Sequence, residues 1–106
     1  MDNFNIIYKI LKALEKAMDL ETFDGSLISY DVLNISEVRW KKIIKILVDE
    51  NYIDGVRVID TDTNGLVIKM FSPTITLQGL EYLNDNSFMK KAAQIASGVS
   101  VLIPKL

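Results

Sequence analysis

A chain of 106 residues with 49% hydrophobic content and a formal net charge of -2 suffices for one domain around one core and is too short for two. It contains neither cysteine nor histidine. That excludes disulfides, thiolate metal sites and thiol nucleophiles, and removes the commonest general base and transition-metal ligand.

From the amino terminus, Phe4, Ile7, Leu11, Leu14 and Met18 recur at steps of three and four, with Lys9, Lys12, Glu15, Lys16 and Asp19 on the other side. An amphipathic helix over residues 3–18 follows, its apolar stripe widened by Ile6 and Ile10. Because lysines interrupt these apolar residues, no secretory signal is expected. No apolar run approaches the roughly 20 residues needed to cross a bilayer, so no membrane association is expected and cytoplasmic residence is.

Asp24-Gly25 marks a turn, and Leu27-Ile28 reads as a very short strand. Ser29 then suits the cap of a short helix through Tyr30, Asp31, Val32 and Leu33, ended by Asn34. Ser36 is the next cap. Behind it Trp40, Ile43, Ile44, Leu47 and Val48 repeat at helical spacing, which predicts a helix over residues 37–50 that stops at Asn51. Tyr52 and Ile53 are expected to fold back onto the core.

After Asp54-Gly55 the period changes. Residues 56–61 and 66–71 are apolar and β-branched, with Asn64-Gly65 between them. That dipeptide accepts the two positive φ angles of a type I′ turn, so a hairpin is predicted. With Asn64 and Gly65 at its centre, Asp60 faces Lys69, Ile59 faces Met70, and Ile59, Ile68 and Met70 share the core face. A longer loop would shift the register and reverse that choice.

Ser72-Pro73 is read as the end of the strand. Thr76 caps a helix with Leu77, Leu80, Tyr82 and Leu83, in which Gly79 permits close approach to another backbone. Asn84-Asp85-Asn86 interrupts it. Ser87 caps a last helix bearing Phe88, Ala92, Ile95 and Ala96, and an apolar tail follows. One domain over residues 1–98 and a tail over 99–106 are expected.

This order predicts an α+β fold: a winged helix-turn-helix with a small antiparallel β-hairpin wing and an extra C-terminal helix. The stretch from Ile35 to Ile53, the hairpin, and the phrase Ile75-Thr76-Leu77-Gln78-Gly79-Leu80-Glu81-Tyr82-Leu83 together resemble winged-helix proteins. More narrowly, the chain resembles the YjcQ family of small, often prophage-associated bacterial proteins over nearly its whole length, including residues 36–52 and 75–98. The resemblance implies a winged-helix-like α+β fold and carries no assigned biochemical role.

In a helix-turn-helix, the second helix of the pair enters the major groove. Here Ser36 and Arg39 could reach base edges or phosphates, Lys41, Lys42 and Lys45 could pair with phosphates, and Glu37 could accept from a cytosine amine. The same residues also suit a solvated helix face, with Glu37 and Lys41 as an i,i+4 pair. The global charge runs against DNA, since phosphate contacts supply most of a nucleic-acid binder's affinity. So does the wing tip, Asp60-Thr61-Asp62-Thr63-Asn64-Gly65, where only Arg57 and Lys69 offset two carboxylates.

The tip also matches the first half of an EF-hand loop, but the twelfth position, which needs a bidentate Glu, is Phe71. Trp40 shares the apolar stripe and is expected in the core rather than as a partner anchor. The last helix and tail either form a dimer contact or close the domain's own core.

No activated nucleophile or phosphate loop is evident, so an enzyme, a metal and a cofactor are not expected. Two roles remain. One is a phage-derived regulator that binds double-stranded DNA. The other is an interaction or oligomerisation module for a partner protein or a second copy.

Overall fold

The computed structural model describes residues 2–86. Four α-helices and one two-stranded antiparallel sheet follow in the order α1 (Asn3–Lys16), α2 (Tyr30–Leu33), α3 (Glu37–Asp49), β1 (Ile53–Thr61), β2 (Gly65–Ile75) and α4 (Leu77–Asp85). The last helix and tail predicted from Ser87 onward lie outside the described residues.

Helix α1 starts where Asp2 accepts the amide of Asn5 at 2.9 Å, satisfying one of the donors that every helix start leaves without a partner. Its buried stripe is Ile6, Ile7, Ile10, Leu11 and Leu14. Phe4 and Met18, expected at the ends of that stripe, are 62% and 61% exposed. The α-helix ends at Lys16 and tightens into a 3-10 turn over Ala17–Asp19, so Met18 leaves the helical spacing that its position in sequence suggested.

The short strand expected at Leu27-Ile28 is instead a 3-10 turn, Gly25–Ile28. Asp24 starts it, accepting from the amide and hydroxyl of Ser26 at 3.0 and 2.8 Å. A local carboxylate cap decides here over the β preference of two isolated apolar residues. The turn buries Ile28, and the Ile28 carbonyl accepts the indole N–H of Trp40 at 2.8 Å. Trp40 is therefore a core residue, set edge-on to Tyr30 at a centroid distance of 5.7 Å.

Helices α2 and α3 terminate in the same way. Asn34 and Asn51 take left-handed backbone angles, φ 58° and 60°. The amides of Asn34 and Ile35 return to the carbonyls of Asp31 and Tyr30, and those of Asn51 and Tyr52 to Val48 and Leu47. This is the Schellman arrangement, with asparagine where glycine is commonest. It reverses the chain tightly twice, so that α3 follows α2 after only three residues and β1 starts two residues after Asn51. Ser29 occupies the cap position of α2 but makes no side-chain capping bond. Ser36 does cap α3, accepting from the Arg39 amide at 3.1 Å.

The hairpin departs from the predicted register. Thr61 pairs with Gly65, Asp60 with Leu66, Ile59 with Val67, Val58 with Ile68, Arg57 with Lys69 and Val56 with Met70. The connection is thus three residues, Asp62-Thr63-Asn64, and only Gly65 carries a positive φ, 70°. A type I′ turn needs two. The longer tip is fixed by Thr61, whose hydroxyl accepts the Asn64 amide at 3.0 Å and donates to the Gly65 carbonyl at 2.6 Å. Because the shift is odd, the β1 faces exchange. Val56 and Val58 join Ile68 and Met70 against the core, and Ile59 turns outward.

Strand β2 does not stop at Ser72-Pro73 either. It runs on to Ile75, and the irregularity lies between the pairs Asp54–Thr74 and Val56–Met70, where Gly55 opposes Phe71, Ser72 and Pro73. A bulge is one of the few places where a strand tolerates proline's missing N–H. Gly55 is required there twice over: its φ is 76°, and a Cβ would sit 1.9 Å from the Ser72 carbonyl oxygen.

The core gathers the α1 stripe, Ile28, Leu33, Trp40, Ile43, Ile44, Leu47, Ile53 and Leu83. Among the described residues it holds no buried polar or charged side chain. Helix α4 is docked by Thr76, which accepts the Gly79 amide at 3.1 Å and donates to the Asn51 carbonyl at 2.6 Å. At Gly79 a Cβ would lie 2.4 Å from the Tyr52 carbonyl oxygen, so the expected close backbone approach is realised there. Among the described residues no helix is long and apolar enough to cross a membrane.

Candidate functional site

Helix α3 packs Trp40, Ile43, Ile44 and Leu47 inward, which turns Val38, Lys42, Lys45 and Asp49 toward the opposite side at helical spacing. The distal hairpin stands beside that surface. Between them lies a groove of about 430 Å³ lined by Val38, Lys41, Lys42, Lys45, Asp60, Asn64, Gly65 and Leu66. Val38, 64% exposed, and Leu66 give it an apolar lining, and the three lysines stand around it.

Of the five residues that the sequence offered for DNA, these three are brought together. Lys42 is exposed and makes no ion pair among the described residues. Lys41 lies 3.5 Å from Glu37, and Lys45 lies 2.6 Å from Asp49. The Lys45 ammonium is held above the usual lysine value, first by its hydrogen bond to Asp49, then by the charge of Asp49, with Asp60 adding to it across the groove. Glu37, available in sequence as a base-edge acceptor, is occupied with Lys41.

Arg39 and Ser36 stand apart from this group. Two residues from Lys41, Arg39 points about 200° away around the helix. Its Nε donates to the Asn3 side-chain oxygen at 2.8 Å, tying the start of α3 to the start of α1. The Ser36 hydroxyl is exposed but already engaged as the α3 cap.

Sequence reasoning missed Leu66 and Val38 as groove lining, Asp60 as the neighbour of Lys45, and Asn3 as the partner of Arg39. Asp60 and Leu66 follow from the three-residue tip, and the signal for it was Thr61. Exposed Val38, at an outward position of a capped helix, was legible as an oddity. Asn3 depends on how α1 crosses α3, for which no local signal exists. Among the described residues no three potential metal-ligating side chains cluster.

The class so defined is a small α+β protein that sets a lysine-flanked helix face beside a β-hairpin. The family model described as YjcQ protein matches residues 8–100, and the chain belongs to the YjcQ family. No curated protein and no solved structure matches the chain.

Proposed function

We propose that this protein is a cytoplasmic, non-enzymatic winged-helix protein that binds double-stranded DNA, with α3 as the helix inserted in the major groove and the hairpin as its wing. A transcriptional regulator is the role that fits. The observation that carries this reading is the placement of Lys41, Lys42 and Lys45 around one exposed groove between α3 and the hairpin. The short link from α2 to α3 and the hairpin after α3 are the elements that such a protein uses.

The intrahelical ion pairs do not oppose the reading. Exposed i,i+4 pairs stabilise by only about 0.3–0.5 kcal/mol, whereas a hydrogen bond to a charged group contributes about 1.5–3 kcal/mol. Lys41 and Lys45 can therefore exchange Glu37 and Asp49 for phosphates. Three lysines on phosphates give a logarithmic salt slope of about -3.

The test is anisotropy or gel retardation with mixed-sequence duplex at low salt. Micromolar protein should bind, and Lys42→Ala with Lys45→Ala should weaken binding and flatten the salt slope. Failure of micromolar protein to shift any duplex would overturn the reading.

One observation favours a second reading, a module that docks a partner protein. The groove lining is mainly apolar, and the carboxylates of Glu37, Asp49 and Asp60 stand among its lysines. Substituting Val38→Asp and Leu66→Asp would abolish such docking. A contact between two copies through the last helix concerns residues outside those described, and light scattering would show it as a dimer.

A further inference from the structure

The hairpin register separates charges in a way that neither reading uses. Val56, Val58, Ile68 and Met70 turn toward the core, so Arg57, Ile59, Lys69 and Phe71 alternate with them onto the outer face. Arg57 stands directly opposite Lys69. Like charges at directly opposed strand positions repel, and neither residue makes an ion pair among the described residues. The hairpin's carboxylates are elsewhere: Asp60 lines the groove near Lys45, Asp62 is in the tip, and Asp54 pairs with Thr74 beyond the bulge.

Phe71 adds the second half of the pattern. It lies two residues beyond Lys69, about 7 Å along the strand, and is 70% exposed. Gly55, opposite it in the bulge, has no side chain with which to cover the ring. An uncovered aromatic ring next to two cations that have no ion-pair partner among the described residues, on a face whose nearest carboxylate, Asp54, lies past the bulge, is the chemistry that holds an unpaired base and its phosphates.

We propose that the outer face of the hairpin binds single-stranded nucleic acid, with a base stacked on Phe71 and the flanking phosphates neutralised by Arg57 and Lys69. A ring accepts the face of any base, so no sequence preference is expected. A duplex hides its base faces within the stack and offers Phe71 nothing. This site goes beyond the α3 reading and shares no residue with it.

The experiment is fluorescence anisotropy of a short, labelled, mixed-sequence single strand with the full chain at low salt, beside the same strand without its bases and beside the duplex. Wild type should bind the intact strand. Phe71→Ala should weaken that binding about 5- to 150-fold, the range expected for one stacked base, and leave duplex binding unchanged. Phe71→Trp should restore it, with quenching of the new tryptophan on binding.

Arg57→Glu with Lys69→Glu should abolish it, and Lys42→Glu should leave it intact. Absence of binding by wild type, equal affinity of wild type and Phe71→Ala, or equal affinity for the strand without bases would each overturn the proposal. Loss of duplex binding alone would sink the α3 reading and leave this one standing.

Discussion

The indole N–H of Trp40 donates to the backbone carbonyl of Ile28 across 2.8 Å, joining the first turn of α3 to a 3-10 turn twelve residues earlier. The turn has little apolar surface of its own, so this bond and the burial of Ile28 hold it. Trp40→Phe keeps a ring in the core but leaves the carbonyl without its donor. A buried acceptor stripped of its partner costs about 1–3 kcal/mol. Chemical denaturation should therefore show a loss of about 2 kcal/mol, and an unchanged midpoint would mean that the bond contributes nothing net.

Two glycines should respond very differently to the same added methyl. At Gly79 the new Cβ would meet the Tyr52 carbonyl oxygen at 2.4 Å and an Ile75 side-chain carbon at 2.6 Å. Gly79→Ala must push α4 off its seat, at a cost of about 2–3 kcal/mol, typical of overpacking. Gly65 has open space around it, and only its φ of 70° opposes a side chain, so Gly65→Ala should cost about 1 kcal/mol. Urea midpoints of the two variants should separate in that order.

Asp60 faces the groove where the proposed duplex phosphates would lie, and it raises the Lys45 pKa across that space. Asp60→Asn should tighten duplex binding by about 2- to 5-fold at low salt, with the gain fading as ionic strength rises and charges are screened. Lys42→Glu should act in the opposite direction. Titration by anisotropy at two salt concentrations measures both, and a weaker complex with Asp60→Asn would contradict the placement of DNA on this face.

The Tyr82 hydroxyl is buried with no hydrogen-bond partner among the described residues, and the Tyr82 ring packs on that of Tyr52 at a centroid distance of 5.2 Å. Removing an unsatisfied buried hydroxyl should stabilise, so Tyr82→Phe should gain about 1 kcal/mol. Burial, first, and then the charges of Tyr52 and Asp2 push the Tyr82 pKa above its ordinary 10.0. The unfolded chain therefore ionises first. The contribution of neutral Tyr82 is complete below pH 10.0 and is lost as pH rises from there through the raised value. Stability measured across that range should fall less steeply in the Phe variant.

Much of the helical architecture was legible because it is written locally. Ser36, Thr76 and Asp24-Gly25 mark starts and turns, Asn34 and Asn51 mark stops, and the period of Ile43, Ile44 and Leu47 names the buried face of α3. The spacing of Thr76 and Gly79 even announced a backbone contact, now seen against Asn51 and Tyr52.

The hairpin was harder, because Asn64-Gly65 is chemically competent for a shorter turn and the competing determinant is a single hydroxyl. Pro73 misled for a related reason: only the matching Gly55, eighteen positions earlier, makes room for a bulge that keeps the strand going. Of the site, the lysines were legible as a helical cluster. Their neighbours Asp60 and Leu66 were not, since they arrive from another element whose facing depends on that register.

Thr61 consequently holds a disproportionate share of the molecule's surface identity. Without its two short-range bonds, the Asn64-Gly65 alternative would bring Asp60 opposite Lys69 and roll Ile59 beneath the ribbon. The cationic couple would be neutralised, and the groove would lose the carboxylate beside Lys45. What this ribbon shows to the outside world is thus decided at its extremity by one oxygen atom, itself no part of either proposed contact.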